Sequence, residues 1–305
     1  MTILTHFGMH NSNKSSPFAG TEANGLSSAA QPSEKQTPLP ALETTQSLTH
    51  LPESARGVAL LLHGFGGNVH EMRPVANLLI PLGWAVSAPL LPGHHRTPSQ
   101  KMPASSWAEW VAVAKSHLEQ LYQRYQQKVT LVALSNGSPI ALELSQQHPE
   151  KIDKLVLIAP FFKIKMPEFF KFSGKKIVAA LKYVMPHIKR GPSGILDPAE
   201  RNKADALRHY KTLNSRALHS ALELIERVKT NLHRVSHPLL MIVSSNDRVV
   251  CTDEAKQILA AMPSADKHLQ EVHASNHILT LDHDKKEILE RIADFLGLPV
   301  QQHNH

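Results

Sequence analysis

The chain has 305 residues, 42% of them hydrophobic and 19% charged, which is typical of a globular protein with a sizeable core. Its single cysteine, Cys251, excludes an internal disulfide framework and favours a reducing compartment. No apolar run reaches the roughly 18–20 residues of a membrane span, and no secretory signal opens the chain, so we expect a cytoplasmic protein.

The net charge of +7 is unevenly distributed. Residues 161–235 contain 16 Lys and Arg against 6 Asp and Glu, and the remainder is slightly acidic. This basic segment matches no recognised nucleic-acid-binding module, so we expect no nucleic-acid partner. It is either an ordinary solvated surface or a region of peripheral contact with anionic lipid. The mixture of Phe, Met and Lys in residues 161–184 is typical of an interfacial lid, although the same residues suit ordinary packing.

The two ends of the chain are predicted to lie outside the folded core. Residues 1–54 are rich in Ser, Thr, Asn, Gln and Pro and show no sustained periodicity, which predicts a disordered tail. Residues 300–305 are predicted to be a frayed end.

Between these ends, buried-looking strands alternate with amphipathic helices. We predict strands at 57–62, 84–88, 129–134, 155–158, 239–243 and 269–272, and helices at 72–82, 107–125, 138–147, 254–261 and 285–295. Such alternation predicts an α/β fold whose central sheet is mostly parallel, with helices on both faces. The core then comprises 55–160 and 236–299. The intervening 161–235 is predicted to form a basic helical cap over the carboxyl edge of the sheet, where such folds bind ligands.

The first two predicted loops at that edge carry glycine and serine. The first strand is followed by His63-Gly64-Phe65-Gly66-Gly67, which either directs backbone N–H groups into a cavity or is a plain turn. Ser135 ends the 129–134 strand between the small residues Ala133 and Gly137, as a tight strand-to-helix turn requires. Ser135 is therefore a candidate nucleophile, although a helix N-cap serine is commoner.

Two later loops supply an acid and a base. Asp247 follows the 239–243 strand and either orients a histidine or caps a turn, and Asp253 is the better candidate to cap the next helix. His277 follows the last strand, with His273 and His283 as rivals. The chain order Ser135, Asp247, His277 indicates a hydroxyl activated by an imidazole that a carboxylate orients, which is the chemistry of acyl transfer.

At these residues the sequence resembles the α/β-hydrolase fold, and within it the bacterial carboxylesterase and monoacylglycerol-lipase group. The resemblance covers about residues 56–298 and rests on these segments: "LLLHGFGGNVHEM", "PLLPGHHRTP", "VTLVALSNGSPIALEL", "IVSSNDRVVCTDEA" and "SNHILTLDHDKKEILERIADFL". Ala133, Ser138, His95 and Ser244 stand where this group usually has glycine.

The resemblance implies an acyl-ester hydrolase with Ser135 as nucleophile, Asp247 as acid and His277 as base. It also implies an oxyanion hole formed by the backbone N–H groups of Phe65 and Asn136. Short- to medium-chain esters or monoacylglycerol-like lipids are the expected substrates, and no metal or organic cofactor is expected. A thioesterase, acyltransferase or peptidase of the same fold, or a non-catalytic binding protein, stays open as an alternative.

Overall fold

The computed structural model describes residues 45–165, 183 and 185–299. The predicted tail up to residue 44, most of the lid-like segment 161–184, and residues 300–305 lie outside this range. The predicted tail boundary at residue 54 is corrected, because Leu48–His50 form a strand, β1, at the edge of the central sheet. Three residues are too short to show a periodic pattern in the sequence.

Seven strands form the central sheet. After β1 they are β2 (Gly57–Leu62), β3 (Trp84–Ala88), β4 (Val129–Leu134), β5 (Ile152–Ile158), β8 (Leu239–Ser244) and β9 (Lys267–Val272). They lie side by side in the order β1-β3-β2-β4-β5-β8-β9. β1 pairs antiparallel to β3, and every other pairing is parallel. The predicted mostly parallel sheet is therefore confirmed, and the carboxyl ends of its inner strands share one edge.

The described helices have these bounds: α1 (Arg73–Leu79), α2 (Trp107–Tyr125), α3 (Gly137–Gln147), α4 (Pro198–Ala206), α5 (Ser215–Thr230), α6 (Thr252–Ala261) and α7 (Lys285–Leu296). The helix predicted at 72–82 is interrupted. It consists of α1 between two short 3-10 turns, Val69–Met72 and Ile80–Leu82. Pro81 lacks the N–H that a continuous helix needs, and Gly83 ends the segment with a φ of 80°.

Hydrophobic clusters lie on both faces of the sheet because successive strand residues point to opposite sides. In β2, Val58, Leu60 and Leu62 pack in the cluster that includes residues of α2, α3, α5 and α6. Ala59 and Leu61 pack in the other cluster, which includes residues of α1 and α7. All six residues of β4 are buried. This double burial explains why the inner strands read as nearly continuous apolar runs in the sequence.

The segment 161–235 is not purely helical. Besides α4 and α5, its described part contains β6 (His187–Lys189) and β7 (Thr212–Asn214), which form a separate antiparallel pair. Strands of three residues give no alternation that the sequence could reveal. Among the described residues, no helix is long and apolar enough to cross a bilayer.

Candidate active site

Ser135 lies in a sharp turn between β4 and α3. Its φ of 52° is in the left-handed region, which a non-glycine residue seldom adopts without a functional reason. The Ser135 N–H donates to the Ile158 carbonyl at 2.9 Å, which holds the turn against β5. A Cβ at Gly137 would lie 2.5 Å from the Leu62 carbonyl oxygen, so the turn requires glycine there. The predicted strand-to-helix turn with a small residue two positions after the serine is thus confirmed.

The departures from the usual glycines leave this turn intact. The Ser138 hydroxyl donates to the Ala133 carbonyl at 3.3 Å, so its polarity is satisfied within the turn. His95 is exposed. Ser244 makes two hydrogen bonds that a glycine could not make. Its hydroxyl donates to the Ser275 carbonyl at 2.6 Å and accepts from the Asn246 N–H.

The structure brings Ser135, Asp247 and His277 together at the carboxyl edge of the sheet. His277 Nε2 lies 2.9 Å from Ser135 Oγ, and His277 Nδ1 lies 2.7 Å from Asp247 Oδ2. The other carboxylate oxygen of Asp247 accepts from the backbone N–H groups of Val249 and Val250. A carboxylate only accepts, so Nδ1–H donates to it and Nε2 is left to accept the Ser135 proton.

Burial strengthens this arrangement, since the three side chains are from 1% to 5% exposed. The rival histidines lie elsewhere: the His273 ring contacts the Ser245 hydroxyl, and His283 lies 3.8 Å from Asp197. The prediction that Asp253 caps the next helix is wrong. α6 starts two residues earlier than predicted, at Thr252, with Cys251 at the N-cap position and Asp253 inside the first turn.

Asp282, which the sequence analysis missed, joins the histidine loop to the cap. Its buried carboxylate accepts four backbone N–H bonds, each of 2.8 to 3.0 Å, from Leu196, Asp197, Asn276 and His283. The sequence offers no signal for this role, because Leu196 and Asp197 of the cap lie more than eighty residues from Asp282 in the chain. An aspartate just before a helix reads as an ordinary cap.

Gly194 of the cap packs directly on His277. The Gly194 carbonyl accepts from the N–H groups of His277 and Ile278, at 2.9 and 2.8 Å. A Cβ at position 194 would lie 2.6 Å from His277 Cβ, closer than real contacts allow. The cap therefore helps to set the position of the imidazole.

We expect Gly194→Ala to reduce kcat for ester hydrolysis about 10- to 100-fold, because a displacement of the imidazole by less than 1 Å spoils its alignment with Ser135. Gly191→Ala is the matched control, since a Cβ there meets nothing within 4 Å. Initial rates with a p-nitrophenyl ester would compare the two. Equal activity of both variants would show that His277 does not depend on this contact.

The loop after β2 offers an unpaired backbone donor beside Ser135. Its glycine N–H groups are occupied: Gly64 donates to Glu71, Gly66 donates to His94 Nε2 at 3.0 Å, and Gly67 donates within the turn. Within the described part of the chain, the N–H groups of Phe65 and Asn136 have no hydrogen-bond acceptor. Both donors are thus available to a ligand.

Two buried histidines hold this loop. His94 accepts from Gly66, and its Nδ1 lies 3.0 Å from the Pro92 carbonyl. His63 contacts the Gly64 carbonyl and accepts from the Leu91 N–H. Burial lowers the pKa of His63 to about 4, and it lowers the pKa of His94 well below the ordinary value, with His63 adding to the effect. Both rings are therefore neutral at pH 7. Only a neutral imidazole has a ring nitrogen that can accept a hydrogen bond from a backbone N–H.

The protein should lose stability as the pH falls below 6.5. Between pH 6.5 and about 4, the unfolded chain binds a proton at His63 that the folded chain does not bind. The free energy of unfolding therefore decreases through this window, by about 2 kcal/mol at pH 5 from His63 alone. Urea unfolding at pH 7.5, 6 and 5 measures this slope. A flat profile would contradict a neutral, buried His63.

A cavity of about 310 Å³ opens beside Ser135. Its apolar lining includes Phe161, Ile164, Leu213, Leu218, Val250 and Leu281. A mostly apolar cavity with few polar groups is suited to an organic acyl group. Residues of both the core and the cap contribute to the lining, so the cap covers the site.

One end of the cavity is charged, which the sequence analysis did not predict. The Glu71 carboxylate occupies the space that a side chain at position 67 would fill, and Gly67 has none. The carboxylate accepts a hydrogen bond from the Gly64 N–H at 3.1 Å. Burial raises the pKa of the Glu71 carboxyl, although Arg190 opposes that shift. Burial, with Arg208 nearby, lowers the pKa of Arg190 to about 10, so Arg190 stays cationic at neutral pH.

The described residues offer no metal centre. In the ranges 45–165 and 185–299, no three His, Cys, Asp or Glu side chains are grouped as ligands of an ion. The donor set around Ser135 is instead that of acid–base and nucleophilic chemistry.

Comparison with known proteins agrees with this geometry. The sequence model of a hydrolase family described as serine aminopeptidase, S33, matches residues 53–284. A thermostable monoacylglycerol lipase of Bacillus sp. (strain H-257) is 29% identical over 238 residues, which span 78% of this chain and 89% of that protein. A carboxylesterase of Bacillus subtilis (strain 168) is 23% identical over 240 residues, which span 78% and 91% of the two chains.

Solved structures show the same fold. A structure of metagenome-derived lipolytic enzymes superimposes with a TM-score of 0.70 and 26% identity, covering 84% of this chain and 98% of that one. The monoacylglycerol lipase of Paleococcus ferrophilus gives a TM-score of 0.69 at 20% identity, covering 83% and 98% of the two chains. The predicted α/β-hydrolase fold is confirmed.

Proposed function

Because the chain belongs to the serine aminopeptidase S33 family of hydrolases, we propose that it hydrolyses carboxylic esters through an acyl-enzyme on Ser135. It is a serine hydrolase of the lipase and esterase type. The carrying observation is the hydrogen-bonded series Asp247, His277 and Ser135 at the wall of a mostly apolar cavity. Short- to medium-chain acyl esters and monoacylglycerol-like lipids are the proposed substrates, in keeping with the similarity to monoacylglycerol lipases.

In the proposed mechanism, His277 Nε2 takes the Ser135 proton as Oγ attacks the ester carbonyl. Asp247 stabilises the imidazolium that forms and fixes its orientation. The free N–H groups of Phe65 and Asn136 bind the oxyanion, where the loss of one such donor typically costs about 3–4 kcal/mol of transition-state stabilisation. His277 then protonates the departing alcohol. Water, activated in the same way, hydrolyses the acyl-enzyme.

Peptide hydrolysis is the second candidate, because an aminopeptidase needs a carboxylate for the substrate's α-ammonium group and Glu71 lies in the cavity. The surroundings of Glu71 disfavour this use. Arg190 and Arg208 line the same cavity, and they repel a cationic ligand. The apolar remainder of the lining favours an acyl chain, so ester hydrolysis is the better supported function.

The test is a substrate panel for the full chain and for its Ser135→Ala variant. It comprises p-nitrophenyl esters from acetate to palmitate, 1-monoacylglycerols, an acyl thioester and alanine p-nitroanilide. We expect turnover of esters with a maximum at medium chain length, slow turnover of the anilide, and loss of both in the variant. Turnover of the anilide without ester hydrolysis would overturn the proposal in favour of a peptidase.

A further inference from the structure

A basic cleft lies next to the catalytic cavity, between the cap and the loop that follows β3. We use this name for the cleft lined by five cationic side chains: Arg96, Lys189, Arg190, Arg208 and Lys211. Asp205 is the one carboxylate in its lining, and the volume of the cleft is about 1160 Å³. The cleft therefore carries a strong excess of positive charge, concentrated by its concave shape.

Much of this charge is uncompensated. Arg208 pairs with Asp205 at 2.9 Å. Within the ranges that the structure describes, Arg96, Lys189 and Lys211 form no ion pair with a carboxylate. The Arg190 guanidinium donates to the Gly66 carbonyl at 2.8 Å and is partly balanced by Glu71 and Asp205 at longer range. A surface that keeps cations together without acidic partners is suited to an anionic ligand.

Buried polar atoms of the cleft also lack partners. Arg208 Nη2 and Thr212 Oγ1 are inaccessible to solvent and have no hydrogen-bond acceptor among the described residues. His209 is 1% exposed, its Nδ1 lies 2.7 Å from the His94 carbonyl, and its Nε2 has no partner in the described structure. Buried polar groups are nearly always hydrogen-bonded, so three unpartnered atoms in the wall of one cleft are an exception. They lie just behind its surface, where only a shift of their side chains would bring them to a ligand.

The cleft is adjacent to the reacting ester. Arg190 and Arg208 line both the cleft and the catalytic cavity. Arg190 also contacts Gly66, next to the oxyanion donor assigned to Phe65. A substrate whose ester carbonyl lies at Ser135 can therefore extend its polar group towards the two guanidinium groups and the lysines beyond them.

We infer that the basic cleft binds a phosphate group on the alcohol part of the substrate. The preferred substrates are then acyl esters of phosphorylated alcohols. This inference rests on the proposed ester hydrolysis. Phosphate carries up to two negative charges and three acceptor oxygens, which match several cations and the forked donors of arginine better than a carboxylate does. Such a substrate is either a lysophospholipid in a membrane or a water-soluble acylglycerol phosphate.

The test compares substrates that differ only in the phosphate. 1-Hexanoylglycerol and 1-hexanoylglycerol 3-phosphate represent the soluble source. 1-Oleoylglycerol and 1-oleoylglycerol 3-phosphate in phosphatidylcholine vesicles represent the lipid source. We expect kcat/KM to be about tenfold higher for the phosphorylated member, mainly through KM, and to fall towards the neutral member at high salt. A preference with the hexanoyl pair supports the soluble source, and one confined to vesicles supports the lipid headgroup.

The Lys189→Gln/Lys211→Gln double variant should lose most of this preference while its activity on the neutral esters stays within about twofold of the wild type. Lys128→Gln is the matched control, because Lys128 is an equally exposed lysine that does not line the cleft. Equal kcat/KM for both members of each pair would overturn the inference and leave ester hydrolysis standing.

If no ester is hydrolysed, the proposed function fails instead. Calorimetric titration of Ser135→Ala with glycerol 3-phosphate then tests the cleft: binding weakened by the double variant supports it, and absence of binding overturns it.

Discussion

Ser135→Ala should lower kcat/KM for a p-nitrophenyl ester by about ten-thousand-fold to a million-fold. The hydroxyl is the only group of the proposed site that forms a covalent bond with the substrate. Its removal leaves only the contributions that substrate binding and the oxyanion hole make to the rate. Steady-state kinetics, corrected for the uncatalysed hydrolysis of the ester in buffer, would measure the loss. Substrate binding should change little, because the serine contributes a single small group to a cavity with a mostly apolar lining.

Ser145→Ala is the matched control for this change. Ser145 lies in α3, is buried like Ser135, and donates only to the Leu142 carbonyl. We expect this variant to keep nearly full activity. A Ser135→Ala protein that is folded and still hydrolyses the ester at more than a hundredth of the wild-type rate would contradict the nucleophilic role.

Asp247→Asn should reduce kcat by about ten-thousand-fold without unfolding the protein. The Asn side-chain oxygen can still accept from Val249 and Val250, so the loop should be retained. Its NH₂ group would then face His277 Nδ1 and require that nitrogen to accept. The imidazole proton would move to Nε2, where it can no longer take the Ser135 proton.

Asp253→Asn is the control for this second change, because Asp253 lies in the first turn of α6 and away from the histidine. Rates at several pH values and circular dichroism would be measured for both variants. Full activity of a folded Asp247→Asn protein would show that the carboxylate does not control the tautomer of His277.

The core of the fold was predictable because its strands are buried on both faces. β2, β4 and β8 appear in the sequence as nearly continuous apolar runs, and α2 has the predicted bounds, Trp107–Tyr125. The grouping of Ser135, Asp247 and His277 was predictable for a related reason. Parallel strands deliver their following loops to one edge, so the order of reactive residues along the chain carries spatial information.

Other features depend on contacts that leave no local pattern. β1, β6 and β7 have three residues each, which is too short for a periodic signal. Asp282 and Gly194 act through bonds across the fold, and neither residue type indicates such a role.

The charged end of the cavity was equally hidden. Glu71 lies in a 3-10 turn that reads as the exposed start of a helix, and Arg190 is one of many cations in a basic segment. Glu71 enters the cavity because the loop after β2 folds against it, and Arg190 enters because the cap packs over the sheet. The sequence does not specify either contact residue by residue.

The most direct measurement is the reaction of the wild-type protein with a fluorophosphonate, followed by intact mass and peptide mapping. This reagent phosphonylates a serine that a neighbouring imidazole activates. We expect one equivalent of adduct, located on Ser135, with ester hydrolysis lost in proportion to labelling and no adduct in the Ser135→Ala variant. An unlabelled protein, or an adduct on another serine while ester hydrolysis is lost, would contradict the assignment of Ser135 as the nucleophile.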